Sequence, residues 1–129
     1  MPAREITTDE APPPGGAFSL AVTTGRLLFT AGQTGIDPNT GSLPTSLDDQ
    51  LRQAIANLEV VIRAAGGDLS DVVKTTCFLA DIGDFAAFDA IYRDLFPQPW
   101  PARSTFGVAL AGDLRCEIEA VAVIGGGDE

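Results

Sequence analysis

The sequence predicts an α+β domain: a single sheet with two helices on one face, in the order β-β-α-β-α-β-β. Three observations predict it. Short alternating or β-branched apolar runs recur at 17–32, 71–80, 103–110 and 114–124. Two segments of helical period separate them, at 45–65 and 84–95. Packing both helices on one face of one sheet is the economical way to bury these apolar surfaces. With 129 residues, the chain reads as one domain, 1–129, able to bury a core without disulfides or metal.

Residues 1–14 are polar and proline-rich, and the stretch through "APPPGG" is expected to be an extended lead-in. "AFSLAVTTG" and "RLLFTAGQTG" then form two strands, with Thr24-Gly25 as the tight turn of an antiparallel hairpin. "IDPNTGSLP" supplies loop chemistry. From Thr45 the period changes. Leu47, Leu51, Ala54, Ile55, Leu58, Val61, Ile62 and Ala65 mark one face of a helix. Thr45 or Ser46 caps it, Asp48 and Asp49 suit its first turn, and Gly66-Gly67 ends it.

"DVVKTTCFLA" reads as a central strand. In "DFAAFDAIYRDLF", Phe85, Phe88, Ile91 or Tyr92, and Leu95 fall at helical spacing, and Pro97 terminates the helix. Two last strands, 103–110 and 114–124, are expected to pair as a hairpin through Ala111-Gly112-Asp113. The glycine-rich end, 125–129, is expected to fray.

Composition excludes several chemistries. The net charge is −10, and the eight Lys and Arg are scattered singly, so the clustered cations of a nucleic-acid footprint are missing. No histidine is present, which removes the common triads and most transition-metal sites. Cys77 and Cys116 fit no zinc spacing and read as buried thiols in a reducing compartment. No metal or cofactor is expected. With no secretory signal pattern and no apolar run near 20 residues, a cytoplasmic protein without a membrane association is expected. Catalysis would fall to carboxylates, arginine, hydroxyls, backbone amides or water.

Two features could carry chemistry. In "RCEIEAVAVI" alternation puts Glu117 and Glu119 on one strand face, opposite Cys116, Ile118 and Ala120. That face is either solvated or packed against another subunit with a carboxylate in the seam. Arg103 stands at the entrance of the strand "RSTFGVAL". A lone strand-end Arg is ordinarily a surface residue. In the expected hairpin Arg103 and Glu117 lie too far apart to pair directly, and could meet only across an interface. "FTAGQTG" ends a strand in small residues, either as a plain turn or as backbone amides offered to an oxygen. Ser104 and Thr105 have no base to activate them, and Tyr92 reads as core.

These pieces resemble the Rid, or YjgF-type, family of reactive intermediate deaminases. "FTAGQTGIDPNTG", the run from "LRQAIANLEVVIRAAGGDLSDVVKTTCFLA" through "DIGDFAAFDAIYRDLF", and "PARSTFGVA" followed by "RCEIEAVAV" carry the resemblance, which spans about 15–124. It implies a chorismate-mutase-like homotrimer, its three sheets forming a central barrel with clefts between subunits. The implied activity is cofactor-free hydrolysis of enamines and imines, of the 2-aminoacrylate type, to 2-keto acids and ammonia. The family's arginine maps onto Arg103 and its active-site glutamate onto Glu117. Arg103 would hold a substrate carboxylate, and Glu117 of a neighbouring subunit would activate water.

The resemblance also marks Phe18, Ala31, Gly32, Asp89 and Thr105 as substrate-binding positions, with departures. Phe18 stands where tyrosine is common, Ala31 where serine is common, Thr105 where cysteine is frequent, and Asp89 where asparagine is frequent. The alternative function, from a different class, is a non-catalytic trimeric module that binds a metabolite or regulates a partner through the same cleft. A ribonuclease reading fits the charge and the missing histidines poorly.

Overall fold

The computed structural model describes residues 2–125, so most of the tail expected to fray lies outside the described residues. Two helices cover one face of a six-stranded mixed sheet. The strands are β1 (Arg4–Ile6), β2 (Ala21–Thr24), β3 (Leu27–Thr30), β4 (Val72–Leu79), β5 (Ala102–Gly107) and β6 (Cys116–Val123). The helices are α1 (Leu47–Ala64) and α2 (Phe85–Leu95). Across the sheet the order is β1-β2-β3-β6-β4-β5, antiparallel throughout except for the parallel pair β4–β5.

The helices begin and end as the sequence dictates. Ser46 caps α1, its hydroxyl accepting from the Asp49 N–H at 3.1 Å, and Gly66 follows the last turn at φ +94°, a conformation other residues rarely adopt. Leu51, Ala54, Leu58, Val61 and Ile62 of α1 pack with Phe88 of α2 on the inner sheet residues Leu28, Cys77, Leu79, Cys116, Ile118 and Ala122. Burying a branched or aromatic side chain of this kind contributes roughly 1.5–3 kcal/mol, so this layer supplies the bulk of the stability. Both cysteines are free and buried, and burial pushes both thiols up to about 12, leaving them inert.

Two expectations are corrected. The extended lead-in also contributes a strand that the expected order lacked: β1 pairs with β2, Ile6 opposite Ala21, and Ile6 and Ala11 are buried. An isolated isoleucine in a polar stretch was the only sign of it. The last two strands, moreover, form no hairpin. β5 lies parallel to β4 at the sheet edge, and β6 enters between β3 and β4. The reason is the β4–α2–β5 crossover. A helix between two strands returns the chain parallel to its start, and the loop through Gly112 then carries it back to the open position beside β4. Ladder bonds on both sides suit the strictly alternating burial of β6, whereas β5 is mostly exposed at its ends.

Two polar side chains sit inside the apolar stripe of α1, each fully satisfied. Gln50 donates to the carbonyls of Pro44 and Asp113 and accepts from the Arg115 N–H. Asn57 donates to the carbonyls of Thr34 and Ile36 at 2.9 and 2.8 Å. Replacing Asn57 by Ala strips a donor from two carbonyls, and such a loss costs roughly 1–3 kcal/mol. The expected result is a lower urea midpoint with an unchanged slope. The exposed Arg52–Asp48 pair serves as the control: Arg52→Ala is expected to leave the midpoint nearly unchanged, because solvent screens an exposed ion pair. Equal effects from the two changes would show that Asn57 does not hold the loop.

Candidate functional site

The candidate residues gather into two groups on opposite faces of the sheet. The first surrounds Glu117. Its strand, β6, pairs Glu117 with Phe78 and Ile118 with Cys77. Ile118 and Cys77 are buried beneath the helices, so Glu117 and Glu119 project from the other, helix-free face. Beside them the chain leaves β3 as Ala31-Gly32-Gln33. Gln33 and Ile118 exchange backbone hydrogen bonds, N–H to carbonyl at 2.7 and 3.0 Å. The Thr30 hydroxyl accepts from the Ala120 N–H at 3.0 Å.

These bonds lay the Glu117 carboxyl against the backbone of Gly32. A Cβ on Gly32 would stand 2.1 Å from Glu117 Oε2 and 2.8 Å from its carboxyl carbon. Gly35 is required for a similar reason, because a Cβ there would reach 2.5 Å from the Gln50 carbonyl oxygen. The loop is thus drawn onto α1 by Asn57 and onto β6 by Gln33. Half-burial raises the Glu117 carboxyl above the usual glutamate range, and the Glu119 charge on the same face raises it further.

The second group surrounds Arg103. In the parallel β4–β5 pairing Arg103 lies beside Thr75, which is buried beneath α2, so its side chain faces the helix. Its guanidinium lies 4.6 Å from the centre of the Tyr92 ring, 5.4 Å from Phe85 and 5.7 Å from Phe88. These aromatics share one side of α2 by their spacing of three, four and seven. Tyr92 is fixed in turn by a 2.8 Å hydroxyl bond with Thr75. Arg103 Nη2 meets Asp89 Oδ1 at 2.9 Å, and this guanidinium holds the Asp89 carboxyl below its ordinary range. An open cavity of about 260 Å³ adjoins the pair, lined by Asp89, Tyr92, Arg93, Trp100, Pro101 and Arg103.

Within one chain, then, Arg103 and Glu117 do not meet. The obstacle is not the distance along a hairpin, since there is none, but the sheet itself. Asp89 joins Arg103 directly, while Ala31 and Gly32 join Glu117. Thr105 lies on the helix side of β5 beside Cys77. Phe18, ahead of β2, is 52% exposed. Tyr92, Gln33 and Asn57 carry positioning roles that the sequence reading did not single out. The signals were present: an aromatic ladder opposite Arg103, and an amide inside an apolar helical stripe.

Comparison with known proteins decides the family. The endoribonuclease L-PSP family model matches residues 8–124. The chain belongs to the Rid family. Among relatives, it is 44% identical to the rat 2-iminobutanoate/2-iminopropanoate deaminase over 122 residues, 93% of this chain and 89% of that protein. The crystal structure of RidA from an Antarctic Psychrobacter superposes with a TM-score of 0.91 at 37% identity, covering 94% of this chain and 99% of that one. The YjgF gene product of E. coli gives 0.89 at 39% identity, covering 93% and 98%. This Rid chain thus shares the family's sheet-and-helix architecture along nearly its whole length.

The raised Glu117 makes a measurable statement. A carboxyl raised by folding stabilises the fold while protonated, and that contribution is lost as pH rises through its folded value. Glu117→Gln is therefore expected to raise thermal stability at neutral pH and to lose that advantage in acid. Carbon-13 titration of the Glu117 carboxyl should show a midpoint above the ordinary glutamate value, lowered by Glu119→Gln. A midpoint at the ordinary value would remove both effects.

Proposed function

We propose that the chain is an imine deaminase, hydrolysing small 2-imino acids and their enamine tautomers to 2-keto acids and ammonia. The observation that carries the reading is the near full-length likeness to proteins named as imine deaminases, with Arg103 and Glu117 both in place. It is a cytoplasmic enzyme in this reading, with a small imine as its partner and no cofactor. The family model's name suggests ribonuclease activity. A net charge of −10 without histidine argues against it, because phosphate binding needs clustered cations.

The active form in this reading is a homotrimer with its sites between subunits. Two features support it. The helix-free sheet face exposes Leu27 and Phe29 of β3 and Phe106 of β5, with Val121 and Val123 of β6 half-buried between. A patch of this kind marks an association surface. The two halves of the site also face opposite ways. A head-to-tail contact sets one subunit's Arg103 half against the next subunit's Glu117 half, and such contacts close into a ring when each subunit is turned a third of a revolution from the last.

Chemically, the Arg103 guanidinium takes the substrate carboxylate, which the planar fork matches better than a lysine would. The Glu117 carboxylate accepts a proton from water as the water oxygen bonds to the imine carbon. Glu117 returns that proton to the nitrogen to give the carbinolamine, whose hydroxyl proton then passes to the same nitrogen as the C–N bond breaks, so that the carbonyl forms and ammonia leaves. Burial and the Glu119 charge raise the Glu117 carboxyl above the usual glutamate range, which makes it a stronger proton acceptor than an ordinary glutamate. The backbone around Gly32 limits how Glu117 can turn.

The test is keto-acid release when a pyridoxal-phosphate-dependent dehydratase supplies the imine. The protein is expected to exceed the spontaneous rate. Arg103→Ala should lower kcat/KM on the order of 100-fold, and Glu117→Gln should lower kcat roughly 10²- to 10⁴-fold. Light scattering should give three times the chain mass. No acceleration by a folded trimer would instead leave a metabolite-binding module, and a monomer would remove the shared site.

A further inference from the structure

The cluster around Asp89 is the least expected feature of the molecule. A carboxylate beside the guanidinium that must receive another carboxylate is a poor substrate ligand, since like charges repel. Its contacts indicate a different role. Asp89 Oδ1 binds Arg103 Nη2 at 2.9 Å, and Oδ2 lies 3.3 Å from Arg93 Nη2. Arg93 in turn stands 4.8 Å from the centre of the Trp100 ring. The Arg103 guanidinium carbon lies over the Tyr92 ring, 4.6 Å from its centre, but a ring contact of this kind does not by itself set which way the guanidinium's N–H groups point. Asp89 supplies that restraint.

The choice of nitrogen matters. A guanidinium can hold a carboxylate through two parallel bonds along either of two edges, and Nη2 belongs to both. An acceptor already on Nη2 uses one of its two hydrogens and so leaves one edge for the substrate. The formal charges still favour an anion, since Arg93 and Arg103 together outweigh Asp89 by one.

We infer that Asp89 is a positioning residue, buttressed by Arg93, that fixes which edge of Arg103 receives the substrate carboxylate. The inference rests on the reading of Arg103 as the carboxylate anchor. Asp89 itself does not contact substrate. Its removal frees the fork to rotate, so the loss appears in ground-state and transition-state binding alike.

The experiment compares wild type, Asp89→Ala and Asp89→Asn. Steady-state hydrolysis of dehydratase-supplied imine is measured beside calorimetric binding of 2-oxobutanoate, a keto acid that cannot be deaminated. Asp89→Ala is expected to raise KM on the order of 10-fold with kcat within about 2-fold, and to weaken 2-oxobutanoate by the same factor. Asp89→Asn keeps a side-chain oxygen for Nη2 and is expected to recover most of the loss. The Arg103 Nε–H resonance should shift in Asp89→Ala while circular dichroism stays unchanged, separating positioning from unfolding. Asp89→Ala binding as well as wild type or tighter overturns the inference, as does Asp89→Asn being equally impaired, or wild type failing to bind 2-oxobutanoate. Wild type that binds 2-oxobutanoate in an Asp89-dependent way but hydrolyses no imine sinks the deaminase reading and leaves this one standing.

Discussion

The entry of β6 between β3 and β4 is the constraint on which the site depends. A strand paired along both edges cannot slide by one residue without turning every side chain to the wrong face. Here a slip would bury Glu117 and Glu119 beneath the helices and expel Cys116, Ile118 and Ala120. Alternation, pairing and helix packing therefore all choose the same register. Because the Gln33–Ile118 exchange continues that pairing beyond β3, the turn carrying Gly32 inherits the register. The contact of Glu117 with Gly32 follows from strand pairing rather than from any bond of its own.

The same topology sends the arginine the other way. The crossover through α2 makes β5 an edge strand parallel to β4, and parallel pairing sets Arg103 beside the buried Thr75. The guanidinium thus meets the aromatic side of α2. A cation partly removed from water needs compensation, and it receives both aromatic faces and a carboxylate. One face of the sheet holds a raised carboxyl and the other a restrained guanidinium, so each chain carries two complementary halves that it cannot join internally. In the ring proposed above, assembly and chemistry become the same requirement, for the contact that would cover apolar residues such as Phe29 and Phe106 would also bring an anion-binding group to a base.

Much of this was legible in residue order. The long helix, its Ser46 cap and its glycine stop follow from local rules, and the alternation of β6 set Glu117 apart from Ile118 without a structure. The pairing of the last strands was not legible, because Ala111-Gly112-Asp113 has the chemistry of a hairpin turn whether or not its flanking runs become neighbours. Adjacency was decided by the length of the crossover and by the vacancy beside β4, both nonlocal. Strand β1 was hidden for another reason: three residues carry too little periodicity to rise above a proline-rich surrounding. In the site, residue types identified Arg103 and Glu117, and the resemblance supplied their roles. The restraint on each was invisible, since Asp89 and Gly32 act through distances of closest approach that only coordinates contain.

On the proposed reading of the site, the departures expected from the family resemblance shift recognition in one direction. Phe18 and Ala31 stand where the family resemblance leads one to expect hydroxyls, and Thr105 places one hydroxyl on the helix side of the edge strand. At Asp89 a charge stands where the resemblance leads one to expect an amide, and it engages Arg103 directly. An amide oxygen could occupy the same hydrogen bond, but it would hold the guanidinium less strongly than a charged acceptor does. A site poorer in hydroxyls and richer in fixed charge discriminates less by hydrogen-bonding the body of a substrate and more by how its carboxylate is held. On that reading such a site would tolerate variation in the imine side chain, provided the carboxylate reaches the one edge of Arg103 that Asp89 leaves open.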